Sequence, residues 1–290
     1  MKESFNDYVF LIVVYILVIL LALICLFPFL NLIAVSLSSR QAVISGYVSF
    51  WPIGWDINAY QTVFRNGKMV GALSFTVMLT VVYVAVTMIM TVLCAYPLSK
   101  RHLRGRSAIL MFIMFTMYFS GGMIPGYLNI NSLGLINSFW SLILPGAIST
   151  YYMILMKTFF GSLPDSLEES AYIDGANDLI ILVKIILPLS KAMLATLALF
   201  YAVARWNGLS DALLYINDEK MYPLQMILRQ IIALNQSDSM MNDVPEAKAM
   251  LTPETIKAAC LVFSMTPILL VYPWLQKYFV KGVMIGSVKG

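Results

Sequence analysis

The feature that most constrains this chain is an uncharged stretch of fifty residues, from Ser107 to Met156. Soluble domains seldom contain such a stretch, because charged residues make up about 25% of an average globular sequence. Here only 12% of the 290 residues are charged and 60% are hydrophobic. Two further uncharged stretches, Tyr8 to Ser39 and Met69 to Ser99, each exceed the roughly 20 residues that a transmembrane helix needs. The sequence therefore predicts an all-α membrane protein that crosses the bilayer several times.

Polar and turn-forming residues divide the chain into six predicted spans. The fifty-residue stretch is too long for one span, and it is interrupted at Gly121-Gly122, at Pro125 and by a polar patch from Asn129 to Ser138. It is therefore expected to hold two spans. The whole chain, residues 1–290, is interpreted as a single transmembrane domain. The predicted spans are residues 9–35, 69–98, 107–128, 139–160, 185–205 and 258–276.

Basic residues predict the orientation of these spans. The segment from Lys100 to Arg106 has four fixed positive charges and no acid, so the positive-inside rule places it in the cytoplasm. Lys157, Lys184 and the C-terminal lysines fall on the same side, which puts both termini in the cytoplasm. Two longer segments, 36–68 and 208–257, are then extracytoplasmic. Several basic residues lie in them, but the rule carries less weight in long segments.

The remaining cytoplasmic loop, residues 161–184, is predicted to be folded rather than irregular. Ser166 to Glu169 fits a capping box at the start of a helix. Gly175 is expected to end that helix in the left-handed conformation. Asp178 is expected to cap a second helix, and Pro188 to interrupt it at the membrane. The residues that recur at helical spacing on one face are Leu167, Ala171 and Tyr172. For the last span, Thr252-Pro253-Glu254 predicts a helix start with proline at the first position.

Within this loop the sequence resembles a known family. Glu169-Ser170-Ala171, Gly175, Ile185 and Leu187-Pro188 match the EAA-x3-G-x9-I-x-LP signature of ATP-binding-cassette (ABC) importer permeases, with only Ser170 departing from it. Other segments are similar to the carbohydrate branch of that family, in particular to its LplC/YtcP-like subgroup, which handles complex or uronate-containing oligosaccharides. These segments are Ile173 to Ala176, Trp206-Asn207, Gly121 to Pro125, Leu133 to Asn137 and Lys281 to Gly290.

The resemblance implies a MetI-like ABC importer permease fold with six helices and both termini inside. It implies that the 165–178 helix docks on a cytoplasmic ATPase, with Glu168, Glu169, Ala171, Asp174 and Gly175 as the coupling residues. The chain would form half of an oligosaccharide pathway in the bacterial cell membrane. Its partners would be a second homologous permease, two copies of the ATPase and an extracellular solute-binding protein.

No enzymatic role is expected for the chain itself. The phosphate-binding motif GxxxxGK[ST] is absent, so ATP and Mg²⁺ would be bound by the partner ATPase and no cofactor by this chain. Three cysteines and one histidine, His102, have neither metal-ligand spacing nor a catalytic constellation around them. The net charge of +4 is too small and too scattered to indicate a nucleic-acid partner.

Aromatic and hydrogen-bonding side chains that suit a sugar ligand mark the expected substrate pathway. Resemblance favours the fifth span, and packing or interfacial roles stay open as the alternative for its tyrosine and tryptophan. Arg205 would either bind an anionic uronate or extend to lipid headgroups. The predicted pathway residues are Tyr118, Tyr201, Arg205, Trp206 and Asn207.

Other functions stay open at this point. The alternatives are an ABC permease for a different solute, a secondary transporter and a membrane-embedded enzyme. No predicted span has a charged residue near its middle, which argues against an ion-coupled carrier, since its driving ion needs a ligand at depth.

Overall fold

The computed structural model describes residues 5–65, 67–233 and 251–287, and within these ranges all regular structure is helical. Short 3-10 turns lie at Phe139–Leu142, Leu144–Gly146 and Glu219–Met221, and a π-helical turn at Leu182–Ile186. The α-helices are α1 (Phe5–Ser36), α2 (Arg40–Ile44), α3 (Asn58–Arg65), α4 (Lys68–Ser99), α5 (Arg106–Tyr118), α6 (Met123–Ser132), α7 (Thr150–Phe160), α8 (Asp165–Ile173), α9 (Asp178–Ile181), α10 (Leu187–Leu189), α11 (Lys191–Trp206), α12 (Ser210–Tyr215), α13 (Leu224–Ala233) and α14 (Pro253–Ser287).

Three of these helices are long and apolar enough to cross a membrane by themselves: α1, α4 and the first 19 residues of α14. Three bent pairs of shorter helices pass the same test together. Their bends are 113° between α5 and α6, 52° between Phe139–Gly146 and α7, and 83° between Asp178–Leu189 and α11. If each pair is one span, the described residues hold six, so the predicted all-α, multi-span fold is confirmed. The exact membrane boundaries and the orientation stay predictions.

The predicted third span, 107–128, is divided between two helices. α5 ends at Tyr118 and α6 begins at Met123, after Gly122 with a φ of 89°. Pro125 does not interrupt α6, because it lies in the first turn, where a backbone N–H has no partner within the helix. The interruption predicted at Gly121-Gly122 is therefore present, but a continuous helix to residue 128 is not.

The described residues form two compact units. The first comprises those of Met1–Gly71 and Ile227–Pro267. There the ring of Phe64 packs edge-on against that of Phe263, with centroids 5.3 Å apart. Thr252 Oγ1 accepts a hydrogen bond of 3.1 Å from the Thr255 N–H, and α14 begins at Pro253, so the predicted start of the last long helix is confirmed.

The second unit comprises the described residues of Ala72–Met226 and Ile268–Gly290. Its largest apolar core joins α4, α7, α11 and the stretch from α8 to α10. Because this core lies where α4 and α7 end, it positions the loop that follows α7. The buried members of the core include Tyr96, Met153, Met156, Phe160, Ala171, Ile181, Leu182, Ile186 and Leu197.

The two predicted extracytoplasmic segments contain short helices. Segment 36–68 holds α2 and α3, and segment 208–257 holds α12 and α13. Residues 234–250 of the latter, and residues 288–290 of the C-terminal sequence that carries part of the family resemblance, lie outside the described residues.

Candidate functional site

The helix α8 begins directly after a proline. Pro164 precedes it with φ −60° and ψ 126°, and no side chain caps it. The predicted capping box is wrong, because Ser166 is already inside the helix, where its carbonyl accepts a hydrogen bond of 2.8 Å from Ser170 Oγ. Asp165 and Glu168 lie in the first turn, where carboxylates interact favourably with the positive end of the helix dipole.

The end of α8 has the geometry of a Schellman motif. The Gly175 N–H donates to the Tyr172 carbonyl at 3.0 Å, and the Ala176 N–H donates to the Ala171 carbonyl at 2.9 Å. Gly175 has a φ of 82°, which confirms the left-handed conformation expected of it. No atom lies within 4 Å of where a Cβ would stand at Gly175. Glycine is therefore favoured here by backbone conformation, not by lack of space.

The second helix is capped by Asn177, not by Asp178. Asn177 Oδ1 accepts a hydrogen bond of 2.9 Å from the Ile180 N–H, so the cap predicted at Asp178 is wrong by one residue. Asp178 instead accepts a hydrogen bond from the Tyr172 hydroxyl. This bond, followed by burial and the negative charges of Asp178 and Glu168, raises the pKa of Tyr172 to about 12. The contact ties α8 to α9 across the glycine turn.

The helical arm that follows bends later than predicted. It continues through the π-helical turn and Pro188 to Leu189, and it breaks at Ser190, whose N–H and Oγ both donate to the Ile186 carbonyl, at 3.0 and 2.6 Å. Pro188 is tolerated because it lies in the first turn of α10, just after the wider π turn. The straight helix α11 starts only at Lys191. It is about 24 Å long at 1.5 Å per residue, shorter than a hydrocarbon core of about 30 Å.

Only one side of α8 is covered by the residues that the structure describes. Ala171 is 7% exposed and belongs to the core that includes Tyr96 and Phe160. Ile173, by contrast, is 87% exposed. Leu167 and Tyr172, predicted to share one face of the helix with Ala171, are exposed, so only part of that face is buried. Glu169 and Asp174 are exposed, and with Ile173 they form a surface of mixed apolar and acidic character.

The two adjacent glutamates of α8 have different surroundings. Glu168 is mostly buried and forms an ion pair with Lys100, which follows the end of α4. The Lys100 ammonium also lies 4.3 Å from the centre of the Tyr96 ring. Glu169 is exposed. Both were predicted to contact an ATPase, but the geometry gives Glu168 a partner inside this chain. Sequence reasoning missed this pair, since nothing local connects Lys100 with Glu168.

A second polar cluster surrounds Arg205, which is 6% exposed near the end of α11. Its guanidinium forms an ion pair with Asp211, donates to the Leu142 carbonyl at 2.8 Å, and lies 5.6 Å from the centre of the Tyr83 ring. A Cβ at Gly208 would lie 2.4 Å from Arg205 Nη2, so glycine permits the close approach. We call Arg205, Asp211, Tyr83 and the Leu142 carbonyl the Arg205 cluster. Arg205 thus has protein partners, and sequence reasoning missed Asp211.

The other predicted pathway residues occupy different environments. Tyr201 is buried, and its hydroxyl lies 2.7 Å from Thr91 Oγ1 and accepts a hydrogen bond from the Ser149 N–H. Trp206 is also buried. Asn207 is exposed at the end of α11, and Tyr118 is 83% exposed at the end of α5. The structure thus brings four of the five together along α11 and places Tyr118 on another helix. Their contact with a substrate stays a prediction.

Metal chemistry finds no support in the part of the chain that the structure describes. No group of three or more histidine, cysteine or acidic residues is close enough there to hold an ion. Cys25, Cys94 and Cys260 are free thiols in separate helices.

These observations define a class of protein. It is a helical membrane subunit with several spans, and its folded loop packs against the ends of its helices. Residues 102–285 match the family described as the binding-protein-dependent transport system inner membrane component. The match covers more than half of the chain, which therefore belongs to this family of ABC importer permeases. Its members are non-enzymatic membrane subunits that function with another permease, an ATPase and a solute-binding protein.

Individual relatives agree with this assignment. The chain is 46% identical over 271 residues to the polygalacturonan/rhamnogalacturonan transport system permease protein YtcP of Bacillus subtilis (strain 168), covering 93% of this chain and 94% of that protein. It is 45% identical over 272 residues to protein LplC of the same organism, covering 92% of this chain and 90% of that protein. Among solved structures, a bacterial ABC transporter involved in importing the acidic polysaccharide alginate superposes with a TM-score of 0.91 at 37% identity. That match covers 96% of this chain and 99% of the other.

Proposed function

We propose that this chain is one permease subunit of an ATP-driven importer of oligosaccharides, and that uronate-containing oligosaccharides are its preferred substrates. Two relatives support this substrate class. One is named for the transport of polygalacturonan and rhamnogalacturonan, and the other belongs to an importer of the acidic polysaccharide alginate. All three polymers contain uronic acids, so the shared chemistry is a sugar chain with carboxylates.

The observation that carries the mechanism is the two-sided environment of α8. On one side, Ala171 packs in the core and Glu168 pairs with Lys100, so the helix is held against the ends of α4 and α7. On the other side, Glu169 and Ile173 are exposed. A helix that is held firmly on one face and open on the other transmits a push from a second protein to the spans, where an unfolded loop would not.

In this proposal the coupling residues have two separate roles. Glu169, Asp174 and the turn at Gly175 meet the cytoplasmic ATPase. Glu168 and Ala171 hold α8 on the membrane helices. Closure of the ATPase dimer would then move the 178–189 arm with α8, since Tyr172 binds Asp178 across the turn.

The proposed assembly contains this chain, a second homologous permease, two ATPase copies that bind ATP and Mg²⁺, and an extracellular solute-binding protein. Both termini of this chain lie in the cytoplasm, as its basic loops predict. Family membership supports the types of partner, and the stoichiometry is part of the proposal.

Within the substrate pathway, the exposed Asn207 and Tyr118 are the proposed points of contact with sugar hydroxyls. Tyr201 and Trp206 are buried, and their proposed role is to pack beneath the residues that line the pathway. Arg205 is a poor receptor for a uronate, because the carboxylate of Asp211 already occupies its guanidinium. We therefore place selection of the acidic sugar chiefly on the solute-binding protein.

The test is uptake by proteoliposomes that contain the complete transporter, with the binding protein added outside. We expect ATP-dependent uptake of oligogalacturonides that exceeds uptake of neutral maltooligosaccharides of equal length. A preference for the neutral sugars would contradict the proposed substrate class but would still support an ATP-driven importer. Uptake that persists without the ATPase and follows a proton gradient would overturn the proposal in favour of a secondary transporter.

A further inference from the structure

The segment after α1 is unusually apolar for a connection outside the membrane core. The fifteen residues from Gln41 to Trp55, called the aromatic loop from here on, contain no charged residue. Six of its large apolar side chains are between 45% and 77% exposed. Isolated exposed apolar residues are normal, but a dense set in one loop indicates a binding surface. The six residues are Ile44, Tyr47, Phe50, Trp51, Ile53 and Trp55.

Hydrogen bonds hold this loop against the end of α1. The Asn31 side chain donates to the Ser49 carbonyl at 2.6 Å. The Ser39 N–H donates to the Ile53 carbonyl at 3.0 Å, and the Ile53 N–H donates to Ser38 Oγ at 3.0 Å. Because protein groups satisfy these backbone atoms, the loop can lie where water is scarce without leaving them unpaired.

The position of Asn31 sets the depth of the loop. From Tyr8 to Ser36, α1 is about 43 Å long at 1.5 Å per residue, longer than a hydrocarbon core of about 30 Å. Centred on that core, α1 extends about 6 Å beyond it at each end, so its last turn reaches the headgroup region. Asn31 lies five residues before the end of α1, about 7 Å along the axis, so the loop folds back to that same level.

We propose that the aromatic loop is a membrane anchor, with its aromatic side chains inserted at the boundary between headgroups and acyl chains. Tryptophan and tyrosine prefer this boundary because each has an apolar ring and a polar atom. The surface is continuous with α1, whose apolar side chains are also exposed. A docking site for a soluble protein has a polar rim, whereas the charged residues nearest to this loop, Arg40 and Asp56, lie only at its two ends. The leaflet is the one at the C-terminal end of α1, whichever solute is transported.

The experiment measures the depth of a nitroxide spin label in the complete transporter reconstituted in phospholipid nanodiscs. Cysteine is introduced at Phe50 in a background whose other cysteines are replaced by serine, which leaves Trp51 and Trp55 intact. The accessibility of the label to oxygen and to a water-soluble nickel chelate is then compared. Labels at Leu20, an exposed residue of α1, and at Glu219, an exposed polar residue, serve as lipid and water references. A second label at Tyr47 guards against a local effect at Phe50.

Lipid insertion predicts a several-fold higher ratio of oxygen to nickel accessibility at Phe50 and Tyr47 than at Glu219, at a depth shallower than Leu20. High nickel accessibility at both positions would show that the loop faces water, and it would overturn the proposal. Low accessibility to both reagents would also overturn it, because the loop would then be covered by another protein subunit. Since no step requires transport, this result is independent of the proposed function.

Discussion

The bent helix pair from Asp178 to Trp206 has polar contacts at both ends, and the two sets differ. At the first end, Tyr172 binds Asp178 beside a glycine turn, and one face of α8 stays open. At the other end, the Arg205 cluster buries a charge among an acid, a carbonyl and an aromatic ring. At the first end, Glu169 and Asp174 are exposed, whereas the charges of Arg205 and Asp211 at the other end pair with each other. In the proposed function, the same residue types serve coupling at one end and stability at the other.

The largest effect is expected when the Arg205 cluster loses its acid. Asp211→Ala leaves the guanidinium buried without a counter-charge, which should lower the free energy of unfolding by about 3 kcal/mol. Thermal unfolding of the purified protein in detergent would measure this. The double variant Arg205→Met with Asp211→Leu removes both charges and should recover most of the loss. An Asp211→Ala protein as stable as the wild type would show that the Arg205 cluster does not stabilise the end of α11.

Gly175 tests the opposite end. Gly175→Val forces a β-branched residue into the left-handed region at a cost of about 1–2 kcal/mol, so the turn should change conformation. We expect the protein to insert and fold, with sugar uptake per ATP hydrolysed reduced several-fold. Gly175→Asn is the matched control, because asparagine tolerates this conformation and there is space for its side chain. If the valine variant took up as much sugar per ATP hydrolysed as the wild type, the conformation of this turn would not be needed for coupling.

The adjacent glutamates sharpen the comparison within one helix. Glu168→Gln should lower stability by about 1 kcal/mol or less, the usual value for an ion pair near the surface. The charge exchange Lys100→Glu with Glu168→Lys should restore it. Glu169→Gln should leave stability unchanged and lower ATP-coupled uptake. If both single variants impaired coupling equally without loss of stability, the two sides of α8 would not have separate roles.

The smallest effect concerns pH. The pKa of Tyr172 is raised to about 12 from an ordinary value of 10.0, so the neutral phenol is favoured in the folded state. Its contribution to stability is complete below pH 10 and is lost as the pH rises through 12. Ionisation of Tyr172 should therefore have no effect on uptake between pH 7 and 9. Ultraviolet difference spectra between wild type and Tyr172→Phe should show its ionisation only above pH 10, and Asp178→Asn should shift that ionisation to lower pH.

The contacts at the first end of this helix pair were predicted from the sequence much better than those at the second end. The spacing of Glu169, Gly175 and Pro188 located the loop, and the left-handed Gly175 was predicted from its chemistry. Errors there were local. The cap lies at Asn177 instead of Asp178, because both residue types cap helices and sequence alone does not choose between neighbours.

Two of the missed contacts join residues that are distant in sequence. Arg205 binds a carbonyl 63 residues away, and Glu168 pairs with Lys100, which follows the end of α4. Neither pairing has a local pattern, since each depends on how the helices pack. The break was predicted at Pro188 but lies at Ser190. A π-helical turn accommodates the proline, and no periodic pattern in the sequence predicts such a turn.

The crowding around Gly208 has a consequence for the evolution of this family. A methyl group at that position would overlap the guanidinium of Arg205. Alanine at 208 would therefore displace the guanidinium and weaken its ion pair with Asp211. Positions 205, 208 and 211 should consequently change together among natural relatives, while the surrounding apolar positions drift independently.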